Sequence, residues 1–181
     1  MDIKLPRARS LLQQAATVTV FSGAGLSAES GLSTFRDKQD DALWSRFDPR
    51  ELASVTGFEK DPGGVIEWYN WRRKFHADAL PNAGHRALAR HKTFLHVTQN
   101  VDNLLEQAGV SPGNIRHLHG SITRDRCHNP DCSHEEPVDL ANPAPMRQCP
   151  LCGQLMRPAV VWFGENLPES IWMQSRELCR Q

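Results

Sequence analysis

No apolar run in this chain approaches the roughly 20 residues that a bilayer-spanning helix requires. The opening Met1-Asp2-Ile3-Lys4 leads into nothing that resembles the apolar stretch of a secretory signal. Together these absences predict a soluble, cytoplasmic protein without a membrane partner, in a compartment where disulfides are rare. Net charge is missing too, since 21 Lys and Arg balance 21 Asp and Glu. That excludes a long-range field gathering nucleic acid or anionic surfaces, so any partner must be found by local chemistry. Internal repeats and low-complexity tracts are also absent. What remains, at 181 residues, is room for one substantial core and a small satellite module too short to hold itself together without a staple.

Cys127, Cys132, Cys149 and Cys152 supply a candidate staple. Their C-x4-C-x16-C-x2-C spacing lets two close pairs bring four thiolates around one tetrahedral Zn2+, and four sulfurs leave no position open for water or substrate. One structural zinc ion is therefore expected; disulfides or free core cysteines are the alternatives, disfavoured by the expected compartment. Cys179 reads as a plain helix residue. The module mixes Arg124, Arg126 and Arg147 with Asp125, Asp131, Glu135, Glu136 and Asp139, a balance that argues against nucleic-acid binding.

Along the chain, Leu5, Ala8, Leu12 and Ala15 have the spacing of one helical face over 5–16. Residues 17–21 then read as a β-branched strand ending at a glycine-rich turn. The charged, irregular stretch 38–61 suggests a lid or a pair of short helices. Asp61-Pro62 is a helix start with a capping Asp and Pro in the first turn, and Pro81 closes that region. A short helix is expected over 83–91, a strand over 93–98, a helical turn over 104–108 capped by Gly109, strands at 115–118 and 159–163, and a final helix over 168–179. Polar clusters follow strand after strand, the pattern of an α/β fold whose ligands bind at strand carboxyl ends. The expected fold is a Rossmann-like parallel sheet with helices on both faces. The main lobe takes residues 1–122 and 158–181, and a small zinc module is inserted at 123–157.

Gly23-Ala24-Gly25-Leu26-Ser27-Ala28 fits G-x-G-x-x-G/A directly after a strand, where glycines allow a tight turn and close approach of backbone N–H groups to a pyrophosphate. By itself the pattern also describes a flexible turn. The acid usually found about 20 residues on, at a second strand end, has no convincing counterpart, because no strand precedes Asp40 and Asp41; an ordinary dehydrogenase is disfavoured.

Taken in order, Gly23-Ala24-Gly25-Leu26-Ser27, Ser30 to Arg36, Thr98-Gln99-Asn100-Val101-Asp102, Leu118-His119-Gly120, the cysteines and Val160 to Glu165 resemble the sirtuin family along nearly the whole chain. The resemblance implies an NAD-consuming protein deacylase, in which the acyl oxygen of a modified lysine displaces nicotinamide and water finally releases lysine and O-acyl-ADP-ribose. It implies His119 as general base, a task that suits imidazole with its ordinary pKa of about 6.5, with Asn100 beside it. His117, two positions earlier on the same strand face, lacks the motif match. Gln99, Asn100 and Asp102 correspond to residues that hold the nicotinamide ribose and carboxamide, Gly23, Ala24, Gly25 and Ser27 to the phosphate turn, Arg36 to a phosphate-side arginine and Phe35 to an aromatic cover over the reactive ribose. Residue by residue, His119 could otherwise be a hydrogen-bonded strand-end histidine, Arg36 a surface cation and Phe35 a core residue. Ser33 and Leu105 depart from the family's usual proline and histidine without touching the chemistry. Val161, Phe163, Gly164 and Glu165 match the segment on which substrate peptide adds as a strand, a mode tolerant of sequence.

Tyr69 and Arg72 lie three apart on an expected helix and share a face. A guanidinium fork grips a carboxylate and a phenol adds a hydrogen bond, although spacing alone equally describes an aromatic packing stripe with solvated arginines. Sirtuins that remove acidic acyl groups carry a small alanine followed sixteen residues later by Tyr-x-x-Arg, as do Ala53, Tyr69 and Arg72. The resemblance thus implies desuccinylase and demalonylase activity, with deacetylation in addition, on acylated-lysine proteins. ADP-ribosyl transfer to protein shares the first step and is a further alternative. Family members continue past the last helix through strands that hold the adenosine half of NAD. A C-terminal truncation is therefore expected, and with it the alternative of a non-catalytic fragment that binds zinc and peptide.

Overall fold

Short β-branched runs punctuated by glycine, proline and aspartate set the element order of the structure, a computed structural model in which residues 4–32 and 48–180 are described. Helix α1 (Lys4–Gln14) is followed by β1 (Thr19–Ser22) and the short α2 (Gly25–Ala28), then by α3 (Pro49–Leu52), α4 (Val55–Lys60) and α5 (Pro62–Asp78). Next come α6 (Ala83–Ala89), β2 (Leu95–Thr98), α7 (Leu104–Gln107), β3 (Ile115–His117), β4 (Gly120–Cys127), β5 (Glu135–Pro137), β6 (Met156–Val160) and α8 (Glu169–Leu178). Capping explains several boundaries. The Asp61 carboxylate accepts from the Gly64 N–H at 2.9 Å with Pro62 in the first turn, and Asn82 and His85 form a reciprocal capping box at the start of α6.

Strands β1, β2 and β3 form a parallel sheet in that order, with Ser22 opposite Thr98 and Thr98 opposite His117. All three carboxyl ends therefore meet at one edge, where an α/β sheet places its ligand. A second sheet, ordered β5-β4-β6, is antiparallel. The α/β class with a parallel sheet is as expected, but the strand expected at 159–163 forms at Met156–Val160 and pairs with β4 rather than with the parallel sheet. Every residue of β6 is buried, so the sequence shows no alternation from which its partner could be read. Pro158 lies beside a register irregularity in the β4–β6 ladder, where a missing N–H is tolerated. β4 runs across the boundary expected at 122/123, and β6 across that at 157/158.

The largest apolar cluster joins the two parts. Leu52, Ala53, Phe58, Val65, Ile66, Trp68 and Tyr69 from the α3–α5 region pack on Ile122, Val160 and Trp162. Arg73 of α5, 1% exposed, is ion-paired to Asp125 of β4 at 2.6 Å. It also donates to the carbonyls of Ile122 and Arg124 and to the Asn70 side chain. A guanidinium so buried is stable only because each of its faces meets an acceptor. No described helix is long and apolar enough to cross a membrane.

Candidate active site

A cleft of about 640 Å³ opens at the shared strand ends. The strand tips contribute Ala24, Ser27, Gln99, Asn100, Asp102 and His119, the α3–α5 region contributes Ala53, Tyr69, Arg72 and His76, and the segment after β6 contributes Val161 to Glu165. Gly23 and Gly25 stand beside it with open space where a Cβ would project, so backbone at this turn is accessible to a ligand. The cysteines lie apart from it, and Phe35 and Arg36 fall outside the described residues.

His119 and His117 answer differently to their surroundings. The His119 Nδ1 faces the Gln99 carbonyl oxygen at 3.0 Å; since a carbonyl only accepts, Nδ1 carries the proton and Nε2 keeps a lone pair. His117 instead meets an acceptor at both nitrogens, the Asn100 carbonyl at 2.9 Å and the Glu106 carboxylate at 2.8 Å. Burial opposes charge on His117, but the bonds to Glu106 and Asn100 outweigh it and raise the pKa. The result is one half-buried imidazole with its Nε2 unengaged and one imidazole clamped between two acceptors.

Around Ser27 the polarity closes on itself. Its Oγ donates to Asp102 Oδ2 at 2.8 Å and accepts from Asn100 Nδ2 at 3.0 Å. The other Asp102 oxygen receives the Leu104 N–H at 3.0 Å, and His85 Nε2 approaches Ser27 Oγ at 3.5 Å. Since His85 Nδ1 accepts from the Asn82 N–H, its Nε2 is the donor; burial lowers its pKa. This network fixes the amide of Asn100 against the floor of the cleft.

At the other end, Tyr69 is fully buried and accepts a hydrogen bond from Trp162 Nε1 at 2.9 Å. Burial raises the Tyr69 pKa against the pull of Arg72 and the Trp162 bond, so the phenol keeps its proton. The Arg72 guanidinium stacks over Trp68 at 4.9 Å and Tyr69 at 5.6 Å; burial lowers its pKa while Tyr69 opposes. His76 donates from Nδ1 to the Arg72 carbonyl at 2.9 Å, and burial together with the Arg72 charge pushes its pKa down to about 4.

The segment expected to receive peptide is already bonded through most of its donors. Val161 N–H reaches the His119 carbonyl, Trp162 N–H the Glu165 carboxylate, Phe163 N–H the Ala53 carbonyl and Glu165 N–H the Trp162 carbonyl. Among the described residues, only the Gly164 N–H of this run has no acceptor. Glu165 turns inward, taking Arg126 at 3.1 Å and Arg157 as further partners.

The cysteine sulfurs all lie within 4.8 Å of one another, with Cys127–Cys152 at 3.4 Å and Cys132–Cys149 at 3.8 Å. Zn–S bonds of about 2.3 Å at tetrahedral angles put sulfurs roughly 3.8 Å apart, so the residues fit a zinc ion. Burial raises the Cys149 pKa, but N–H donors from Leu151 and Cys152 and the thiols of Cys127 and Cys132 outweigh it and bring it to about 7, whereas burial pushes the Cys127 thiol up to about 12; a metal would have to draw the protons from the cluster.

Sequence reasoning did not single out Trp162, His76, His85 or the Arg73–Asp125 pair. His85 carried a signal in its Asn82-x-x-His85 spacing, that of a capping box. The remainder depend on contacts between distant segments and left no local mark.

The sequence profile described as the Sir2 family matches residues 23–180. An NAD-dependent protein deacylase of Mycolicibacterium paratuberculosis (strain ATCC BAA-968 / K-10) is 47% identical over 168 residues, covering 88% of this chain and 69% of the relative. One from Corynebacterium glutamicum is 44% identical, covering 95% and 69%. Among solved structures, a Sir2 homologue in complex with NAD superposes with a TM-score of 0.85 at 39% identity, over 96% of this chain and 67% of that one.

Proposed function

The chain belongs to the Sir2 family, and on that premise we propose that it removes acyl groups from protein lysines with consumption of NAD, acting on succinyl and malonyl as well as acetyl groups. The observation that carries the reading is His119, whose Nδ1 is committed to the Gln99 carbonyl and whose Nε2 is left as a base in the cleft. Bound NAD would supply an activated ribose carbon to take up the acyl oxygen. Gly23 to Gly25 and Ser27 are suited to its phosphate side, and Gln99, Asn100 and Asp102 to its ribose and carboxamide, whose hydroxyls and amide need both donors and acceptors. Asn100 comes to this work already oriented by Ser27. The structural zinc would hold the 123–157 module and take no part in the reaction.

The acyl preference rests on Arg72 and Tyr69 lining one end of the cleft beside the small Ala53. A guanidinium with lowered water access favours a carboxylate more strongly than an exposed one would. The test is nicotinamide release from NAD with succinyl-lysine and acetyl-lysine peptides. Release should require peptide and vanish in His119→Ala. Arg72→Met should cut succinyl turnover by about 10- to 100-fold, the worth of a charge-assisted pair, and acetyl turnover far less. Equal losses on both peptides would remove the acidic-acyl reading. Folded, zinc-loaded chain that binds acyl peptide but releases no nicotinamide would point to the non-catalytic alternative.

A further inference from the structure

The indole of Trp162 makes its one hydrogen bond to the phenol that the acidic-acyl reading depends on. We propose that Trp162 is a positioning residue for acyl recognition: by donating to Tyr69 it forces the phenol to present its own proton to the acyl carboxylate. This rests on the reading of Tyr69 and Arg72 given above and deepens it.

Three observations carry the step. An indole N–H can only donate, and Trp162 Nε1 lies 2.9 Å from Tyr69 Oη, so the phenol oxygen is the acceptor and its proton must turn elsewhere. Both residues are buried, Trp162 being 2% exposed and Tyr69 0%, so the bond between them is screened from bulk water although both line the cleft. Among the described residues the phenol proton has no acceptor, while Tyr69 and Arg72 both line the cleft. A carboxylate arriving beside Arg72 is the kind of acceptor that would satisfy it.

The donor is itself held still. The Arg157 guanidinium stacks on the Trp162 ring at 3.9 Å, Phe58 packs against it at 5.2 Å, and the Trp162 backbone N–H is bonded to Glu165 at 2.7 Å. A ring fixed in this way offers its N–H in one direction, and preorganisation of that kind gives a polar contact its selectivity. Acetyl groups carry no terminal acceptor at this depth, so the effect should be confined to acidic acyl chains.

The experiment measures binding of succinyl-lysine and acetyl-lysine peptides to the full chain by calorimetry, for wild type, Trp162→Phe, Tyr69→Phe, the double variant and Arg72→Met. Trp162→Phe should weaken the succinyl peptide about five-fold, in keeping with one hydrogen bond, and the acetyl peptide by no more than about two-fold. In the Tyr69→Phe background it should have no further effect, because its route to the ligand is gone. If Phe at 162 lowers the melting temperature, 3-benzothienylalanine, which keeps both rings and exchanges the N–H for sulfur, replaces it. Equal weakening of both peptides, or an undiminished effect in the Tyr69→Phe background, overturns the proposal. Selective loss in Arg72→Met alongside either result confines the failure to Trp162, whereas unselective loss in Arg72→Met removes the acyl reading and this inference with it.

Discussion

Gly120 should tolerate no side chain, although it is one residue from the proposed base and looks interchangeable with any small residue in the sequence. Its φ is +71°, and an added Cβ would lie 2.0 Å from the Ala159 carbonyl oxygen and 3.1 Å from its carbon. Ordinary contact begins at 3.4 Å, so the oxygen must retreat by 3.4 minus 2.0, or 1.4 Å. That atom is backbone in the ladder that pairs Gly120 with Val160, and no side-chain rotation can relieve it. The left-handed backbone costs about 1–2 kcal/mol for alanine and the overpacking about 1–3 kcal/mol more. Reduced unfolded-state entropy returns about 0.4–1 kcal/mol. Gly120→Ala should therefore lose about 3 kcal/mol at the middle of these ranges, which at a urea slope of about 2 kcal/mol per molar moves the midpoint down by about 1.5 M. Gly164→Ala is the control, because its φ is +88° but nothing lies within 4 Å of its Cβ; it should lose about 1 kcal/mol from backbone strain alone. A Gly120→Ala midpoint within about 0.3 M of wild type, or one no lower than that of Gly164→Ala, would refute the steric argument.

Stability should fall with acid because of His76, whose pKa drops from 6.5 to about 4. The unfolded chain protonates first, so this group destabilises as pH falls from about 6.5 toward 4 by about 3 kcal/mol, with full stability above 6.5; the burial and Arg72 and Arg73 charges that depress it outweigh Asp102, and His76→Gln should flatten the slope in urea titrations across that range. Asp125→Asn should cost about 3 kcal/mol by leaving Arg73 buried without its carboxylate, and adding Arg73→Met should restore part of the melting temperature; no recovery would separate the two residues energetically. Metal analysis should find one zinc per chain bound by Cys127, Cys132, Cys149 and Cys152. Cys149→Ser or a strong chelator should remove it and lower the melting temperature, and retention at full stoichiometry would exclude the four-sulfur site.

How much of this was legible beforehand depends on whether a feature is written locally. Asp61-Pro62, the glycine turn after β1 and the cysteine spacing each act through residues a few positions apart, and the structure carries all three. The convergence of Gln99, Asn100, Asp102 and His119 was legible too, because parallel strands align their ends whatever the details of packing. The partner of β6 was not legible, because a strand buried along its whole length does not disclose which strand it joins. Arg72 and Arg73 show the limit most clearly. They are adjacent and chemically identical, yet about 100° of helical rotation separates them. Arg72 lines the cleft, and Arg73 closes on Asp125 and the β4 carbonyls. The Tyr69-x-x-Arg72 spacing marks Arg72 for the cleft, but nothing local marks Arg73 for burial; its place is set by β4, some fifty residues on, which offers it the acceptors. The same logic places Trp162 against Tyr69. The side chains that position a site are fixed by what arrives from elsewhere in the chain, and they become readable only once the two segments are seen together.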